Sequence, residues 1–168
     1  MQKTVISEKR IRKKVRELAG AICRDFPTEV FVVCVLKGAA VFYADLIREI
    51  SRQAGPKVFS NYIRASSYKG KESCGEVDLI SDLDVRGKEV LVVEDIIDTG
   101  RTLSKVREQF MSQGAKAVKI CTLLDKPSKR AEKISADYVG FIVKDLFLVG
   151  YGLDCNEEWR ELPFIAEL

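Results

Sequence analysis

The stretch Val90–Leu103, VLVVEDIIDTGRTL, decides how the rest of the chain is read. Val90, Leu91, Val92 and Val93 form an unbroken aliphatic run, the pattern of a strand buried on both faces of a parallel sheet. Two carboxylates, Glu94 and Asp95, stand at its carboxyl end. After Ile96 and Ile97 comes Asp98-Thr99-Gly100-Arg101-Thr102, rich in hydroxyls and backbone donors, and a helical pattern begins at Leu103. Leu103, Val106 and Phe110 share one face of that helix, Gly114 is placed to end it, and a new apolar run extends from Ala117 to Leu124. Strand, turn, helix and strand in this order predict a right-handed βαβ crossover.

Working outward, Val30 to Leu36 is a second buried-strand pattern. It ends in Lys37-Gly38-Ala39-Ala40 before a helix with Phe42, Leu46 and Ile50 on one face. Two such units predict an α/β fold with a mostly parallel twisted sheet flanked by helices. Ligands in such sheets sit outside the carboxyl ends of the strands, here the edge marked by Leu36, Asp95 and Leu124. Ser7 is placed to cap a first helix whose Ile11, Val15, Leu18 and Ile22 form one stripe. Its other face is basic (Lys9, Arg10, Arg12, Lys13, Lys14, Arg16). Glu8 and Glu17 interrupt that run and no aromatic is interleaved, so it reads as a solvated face more readily than as a nucleic-acid patch. Val58 to Ile63 and Glu76 to Ile80 are weaker strands around a polar loop, Ser66 to Ser73, which reads as a lid or as a hairpin tip. Tyr138 to Val143 and Phe147 to Tyr151 predict two more short strands. No repeat or linker divides the chain, so residues 1–168 are expected to form a single domain.

With 46% apolar and 32% charged residues the composition is that of a globular protein. The longest apolar run falls far short of the roughly 18 residues of a membrane span. No apolar segment follows the basic N-terminus, so neither a membrane nor a secretory signal is expected, and a cytoplasmic location is the default. Five cysteines without a Cys-x-x-Cys pair argue against a disulfide framework or a zinc site. The absence of histidine excludes Ser/His/Asp and Cys/His machinery. Any acid or base must therefore be a carboxylate, Lys, Tyr or Cys. A net charge of +3 does not oppose an anionic substrate.

Phosphate binding needs donors that converge. The turn offers N–H groups from Thr99, Gly100, Arg101 and Thr102 with two threonine hydroxyls. It is shorter than a nucleoside-triphosphatase loop and lacks that loop's lysine. Carboxylates beside such a cradle would repel phosphate unless they face sugar hydroxyls or magnesium. Glu94 and Asp95, on successive strand positions, should point to opposite sides. Asp98 could lie over a reacting sugar carbon, or all three acids could simply cap turns and the helix. Lys37-Gly38 offers an ammonium and free N–H groups suited to pyrophosphate, yet alone it reads at least as readily as an ordinary strand-to-helix turn.

VVEDIIDTGRTL resembles the phosphoribosyl-diphosphate signature of the type I phosphoribosyltransferases. VLKGAAVFYADL, the SSY loop, LLDK and VGYGLDCNEEWRELP resemble the 6-oxopurine branch of that family. The resemblance implies the family fold, with a small hood formed by the terminal segments, and purine salvage. In that reaction the phosphoribosyl group of 5-phospho-α-D-ribose 1-diphosphate passes to hypoxanthine or guanine, with xanthine a further candidate, giving IMP or GMP and diphosphate. It further implies that Glu94 and Asp95 hold the ribose hydroxyls and Mg²⁺, with Asp154 a third metal ligand, and that Asp98 to Thr102 bind the 5-phosphate. Lys37, Gly38 and Arg160 would bind pyrophosphate, with a cis Leu36–Lys37 peptide. Ser67 and Tyr68 would lie on a lid that excludes water from the reacting centre. Lys126 would donate to the purine O6, Phe147 would stack on the ring, Leu148 and Asp154 would meet its remaining edge, and Asp98 would serve as catalytic base near N7. A homodimer or homotetramer without nucleic acid or membrane is implied. The competing reading is a non-enzymatic nucleotide-sensing regulator of the same fold that binds RNA or DNA. Ala39 and Ala40 replace a glycine of some relatives and Cys155 an aromatic; neither removes a group the reaction needs.

Overall fold

The computed structural model describes residues 3–67, 77–80 and 83–168. Strand β1 (Lys3–Ile6) leads into α1 (Glu8–Asp25), then β2 (Glu29–Leu36), α2 (Ala40–Arg52), β3 (Lys57–Ser67), β4 (Val77–Ile80), β5 (Glu89–Ile97), α3 (Arg101–Ser112) and β6 (Ala117–Asp125). A short 3-10 turn, Pro127–Lys129, precedes β7 (Tyr138–Ile142), β8 (Leu148–Val149) and β9 (Ile165–Glu167). Six strands form the main sheet in the order β4-β3-β2-β5-β6-β7. All neighbours are parallel except β4, antiparallel at the edge.

Strand β5 lies inside this sheet, paired with β2 from Phe31↔Val90 to Cys34↔Val93 and with β6 from Glu89↔Ala117 to Ile97↔Asp125. That position explains the aliphatic run: Val90 to Val93 are wholly inaccessible, and both faces are covered. Leu91 and Val93 pack under α1 and α2 with Ile11, Ile22, Phe42 and Leu46. Val90 and Val92 pack under α3 with Leu103, Val106 and Phe110. Each side chain so buried contributes about 1.5–3 kcal/mol, which makes the strand a rigid platform for whatever it carries at its end.

Strand β5 also runs further than its aliphatic core predicts. Ile96 and Ile97 pair with Leu124 and Asp125, so the acids Glu94 and Asp95 lie within the strand and Asp95 does not end it. Ladder pairing and burial of Ile97 extend the strand past the charges. The first helix starts behind Ser7 as expected, although no side-chain hydrogen bond caps it, and buries Ile11, Val15, Leu18 and Ile22 together with Ala19. Its basic face is largely engaged: Arg12 pairs with Glu8, Lys14 with Glu17 and Arg16 with Glu49, while Arg10 and Lys14 lie over the Phe141 ring.

The expected hood is a second, antiparallel sheet in the order β1-β9-β8, built from both terminal segments. Its strand β8 is shorter than the Phe147–Tyr151 run predicts. Positive φ at Gly150 (97°), Tyr151 (52°) and Gly152 (101°) turns the chain away after Val149.

Candidate active site

The turn at residues 98–102 stands where β5 gives way to α3. Gly100 has φ 84°, left-handed space that costs other residues about 1–2 kcal/mol. Its position leaves the first amides of α3 without intrahelical partners, the usual setting for an anion. A Cβ there would also strike Ile134 and come within 3.2 Å of Arg130 Cδ. The turn is braced from below: the Thr99 carbonyl accepts from the amides of Ala131 (2.9 Å) and Glu132 (3.1 Å). Arg130 is held by an ion pair to Asp125, with both side chains largely buried. Glu94, Asp98, Thr99, Gly100, Arg101 and Thr102 share a cavity of about 90 Å³, in which Asp98 is exposed and Gly100 buried.

Glu94 and Asp95 take different neighbours, as alternation along a strand requires. Glu94 lines the cavity at the turn, whereas the Asp95 carboxylate covers Gly38 so closely that a Cβ on Gly38 would collide with it. The two acids remain coupled, for the Asp95 amide donates to Glu94 Oε1 at 3.3 Å. Burial, and then the neighbouring Asp95 charge, push the Glu94 carboxyl well above the usual range. Burial also raises Asp95, against the opposing pull of its hydrogen bonds from Glu94 and the Ile96 amide and of the Arg160 charge. Below them the Cys34 thiol is pushed up to about 12, by burial first and then by these two acids, which makes it an inert core residue.

Across from the acids, the peptide joining Leu36 to Lys37 is cis. Gly152 rests against the Gly38 carbonyl, and this brings the 150–160 segment over the Lys37–Gly38 turn. Arg160 donates to the Gly152 carbonyl at 2.7 Å and pairs with Asp154 at 2.9 Å. Among the described residues its Nε is the buried side-chain polar atom left without a partner. The Lys37 ammonium lies 2.9 Å from Glu157, which also approaches Arg160 at 3.5 Å. Asp154 is thus committed to Arg160 and to the Glu157 amide (2.9 Å), and no cluster of three metal-ligating side chains occurs among the described residues.

The third group lies beyond β6. Lys126 is 8% exposed, and its ammonium donates to the Leu146 carbonyl at 2.7 Å while its amide donates to the Ile97 carbonyl at 2.9 Å. Phe147 leaves 57% of its surface open, as a stacking ring would, and Leu148 is buried in β8. Ser67 ends β3, and Tyr68 lies outside the described residues. Sequence reasoning missed Glu157 and the bracing role of Asp125, Arg130, Ala131 and Glu132. Glu157 stands three residues before Arg160, inside the stretch VGYGLDCNEEWRELP.

A helix-start turn, buried acids beside it and two cations on facing segments thus meet at the carboxyl edge of the sheet. The comparisons with known proteins agree. The phosphoribosyl transferase domain model matches residues 1–156. The hypoxanthine-guanine phosphoribosyltransferase of Bacillus subtilis (strain 168) is 46% identical over all of this chain and 93% of its own. The hypoxanthine phosphoribosyltransferase of Escherichia coli (strain K12) is 41% identical over 98% of this chain and 93% of its own. A crystal structure of a hypoxanthine-guanine phosphoribosyltransferase from Bacillus anthracis, with HEPES in its active site, superposes with a TM-score of 0.92 at 48% identity, covering 100% and 99% of the two chains. The chain belongs to the phosphoribosyltransferase family, and it is an enzyme of that class.

Proposed function

We propose that this enzyme works in purine salvage, moving the phosphoribosyl group from 5-phospho-α-D-ribose 1-diphosphate to hypoxanthine or guanine, with IMP or GMP and diphosphate as products. The observation that carries the reading is the contact of the Asp95 carboxylate with Gly38, which sets the sugar-binding acids directly against the turn that would receive the leaving group. The 5-phosphate rests on Thr99 to Thr102 and the ribose hydroxyls on Glu94 and Asp95. Lys37, Gly38 and Arg160 take the diphosphate, with the unpartnered Arg160 Nε as one donor. As the purine nitrogen attacks the anomeric carbon, the bond from that carbon to the diphosphate oxygen breaks. Asp98 takes up or stabilises the purine proton near N7. The segment carrying Ser67 and Tyr68 is assigned to water exclusion on the family resemblance alone.

Mg²⁺ fits the donor set. Glu94 and Asp95 are hard oxygen donors raised by burial and without an ion pair among the described residues, and magnesium commonly binds one or two carboxylates while keeping waters and substrate oxygens. Bound there, it would neutralise charge building on the diphosphate. Asp154, engaged by Arg160, would serve at a distance or through water.

Lys126 and Phe147 would read the base. A 6-oxo group accepts from a second N–H of the Lys126 ammonium, which already donates to the Leu146 carbonyl, whereas the 6-amino group of adenine would leave that donor without an acceptor. The penalty of about 1–3 kcal/mol or more rejects adenine by roughly one or two orders of magnitude. Xanthine is a further candidate substrate. The pairing of the basic face of α1 supports the enzyme over an RNA- or DNA-binding regulator. Four described cysteines are free and no described helix is long and apolar enough to cross a membrane, which fits a cytoplasmic location. A homodimer or homotetramer follows from the resemblance and is read by light scattering. Purified enzyme with Mg²⁺ and phosphoribosyl diphosphate should convert hypoxanthine and guanine, but not adenine, to nucleotide. Absence of nucleotide from every 6-oxopurine would falsify the assignment.

A further inference from the structure

We infer that Glu157 is an internal competitor for the diphosphate site, a carboxylate that occupies the two cations in the free enzyme and yields them when diphosphate or its ribosyl ester arrives. The inference rests on the placement of diphosphate at Lys37 and Arg160 proposed above. One carboxylate bridges both cations, with Oε2 at 2.9 Å from the Lys37 ammonium and Oε1 at 3.5 Å from Arg160 Nη2. The two cations come from turns far apart in sequence, and Glu157 is a side chain that ties one to the other.

The backbone aims this carboxylate. Asn156 and Glu157 have positive φ (53° and 69°), the Glu157 amide donates to Asp154 Oδ2 at 2.9 Å, and Cys155 and Glu158 exchange hydrogen bonds of 3.2 and 3.1 Å. The hydrogen bond from the Lys37 ammonium and the approach of Arg160 hold the carboxylate between the two cations. Yet Lys37 and Glu157 are 52% and 65% exposed. Ion pairs this open contribute little, so diphosphate, with its higher charge, displaces Glu157 easily. After transfer the carboxylate returns to the same cations and assists departure of the product. Glu157 thereby sets affinity at this subsite without contacting the reacting atoms.

The test compares full-length wild type, Glu157→Gln, Lys37→Ala and the double variant, titrated calorimetrically with inorganic diphosphate with and without Mg²⁺. Thermal melting confirms that each is folded. Glu157→Gln should bind diphosphate about two- to fivefold more tightly, the range of an exposed ion pair. The gain should shrink when added salt shortens the screening length and should largely vanish on the Lys37→Ala background. Equal or weaker binding by Glu157→Gln overturns the inference, and so does a full gain without Lys37. If no variant binds diphosphate while nucleotide still forms from hypoxanthine, both the subsite and the competitor are wrong and the transfer reaction stands. If diphosphate binds as expected but no nucleotide forms, the reaction is wrong and the competitor stands.

Discussion

The paired acids Glu94 and Asp95 within β5 impose a cost on the ligand-free enzyme, and Glu94→Gln should reveal it. Glu94 is 9% exposed, lies beside a second buried carboxyl, and has its pKa driven up by burial and by Asp95. Glutamine preserves the shape, can still accept from the Asp95 amide, and can donate to the Asp95 carboxylate. Relief of a desolvated charge of this kind is worth about 1–3 kcal/mol. At about 2–4 °C per kcal/mol for a chain of this size, the melting temperature should rise by roughly 2–12 °C. Both acids are raised in the folded state. Their contribution is therefore most favourable below the unfolded carboxylate range near about 4, and it is lost as pH rises through the raised folded values. The variant's advantage should accordingly be larger at pH 8 and fade towards pH 4. Calorimetric melts across that range read the effect directly. Activity should move the other way, with kcat/KM for phosphoribosyl diphosphate falling. A variant that melts at or below wild type at pH 8 would refute the view that these acids are held at a cost to stability.

Asp98→Ala should lower kcat by about 10²–10⁴-fold, the span of general acid–base assistance, while titration shows the nucleotide product still binding. Lys126→Gln should lose about 1.5–3 kcal/mol, or roughly one to two orders of magnitude in kcat/KM for hypoxanthine, and should narrow the preference over adenine in competition assays. Gly100→Ala must place a Cβ at φ 84° against Ile134, so the melting temperature should drop by roughly 2–8 °C and KM for phosphoribosyl diphosphate should rise.

The half of the candidate site built on the turn after β5 was legible because it is local. Val90 to Thr102 carries strand, acids, turn glycine and helix start in one run, and each element's chemistry states its own place. The half proposed to take the purine was legible only through resemblance, because Lys126 and Phe147 are linked through the Leu146 backbone carbonyl, which no residue pattern marks. The end of β5 was misplaced because two acids look like a terminus, whereas Ile96 and Ile97 still had partners on β6. Strands β1 and β9 are too short to show a period. Glu157 escaped notice for a related reason: its partner Lys37 belongs to a turn fixed by tertiary packing, and an exposed glutamate among polar neighbours carries no signal of its own.

The hood has a consequence for how the molecule is assembled. Lys3 pairs with Glu167, and Leu148 with that same residue from the other side, while the Phe147 carbonyl accepts from the amide of Leu168. Closing that pairing joins segments separated by nearly the whole chain, a step whose entropy cost exceeds that of any neighbouring strand-helix unit. The turn after β5 can form from contacts within one βαβ unit, whereas the small sheet is complete only when the first and last strands have met, so it is expected to be among the last parts of the molecule to be built.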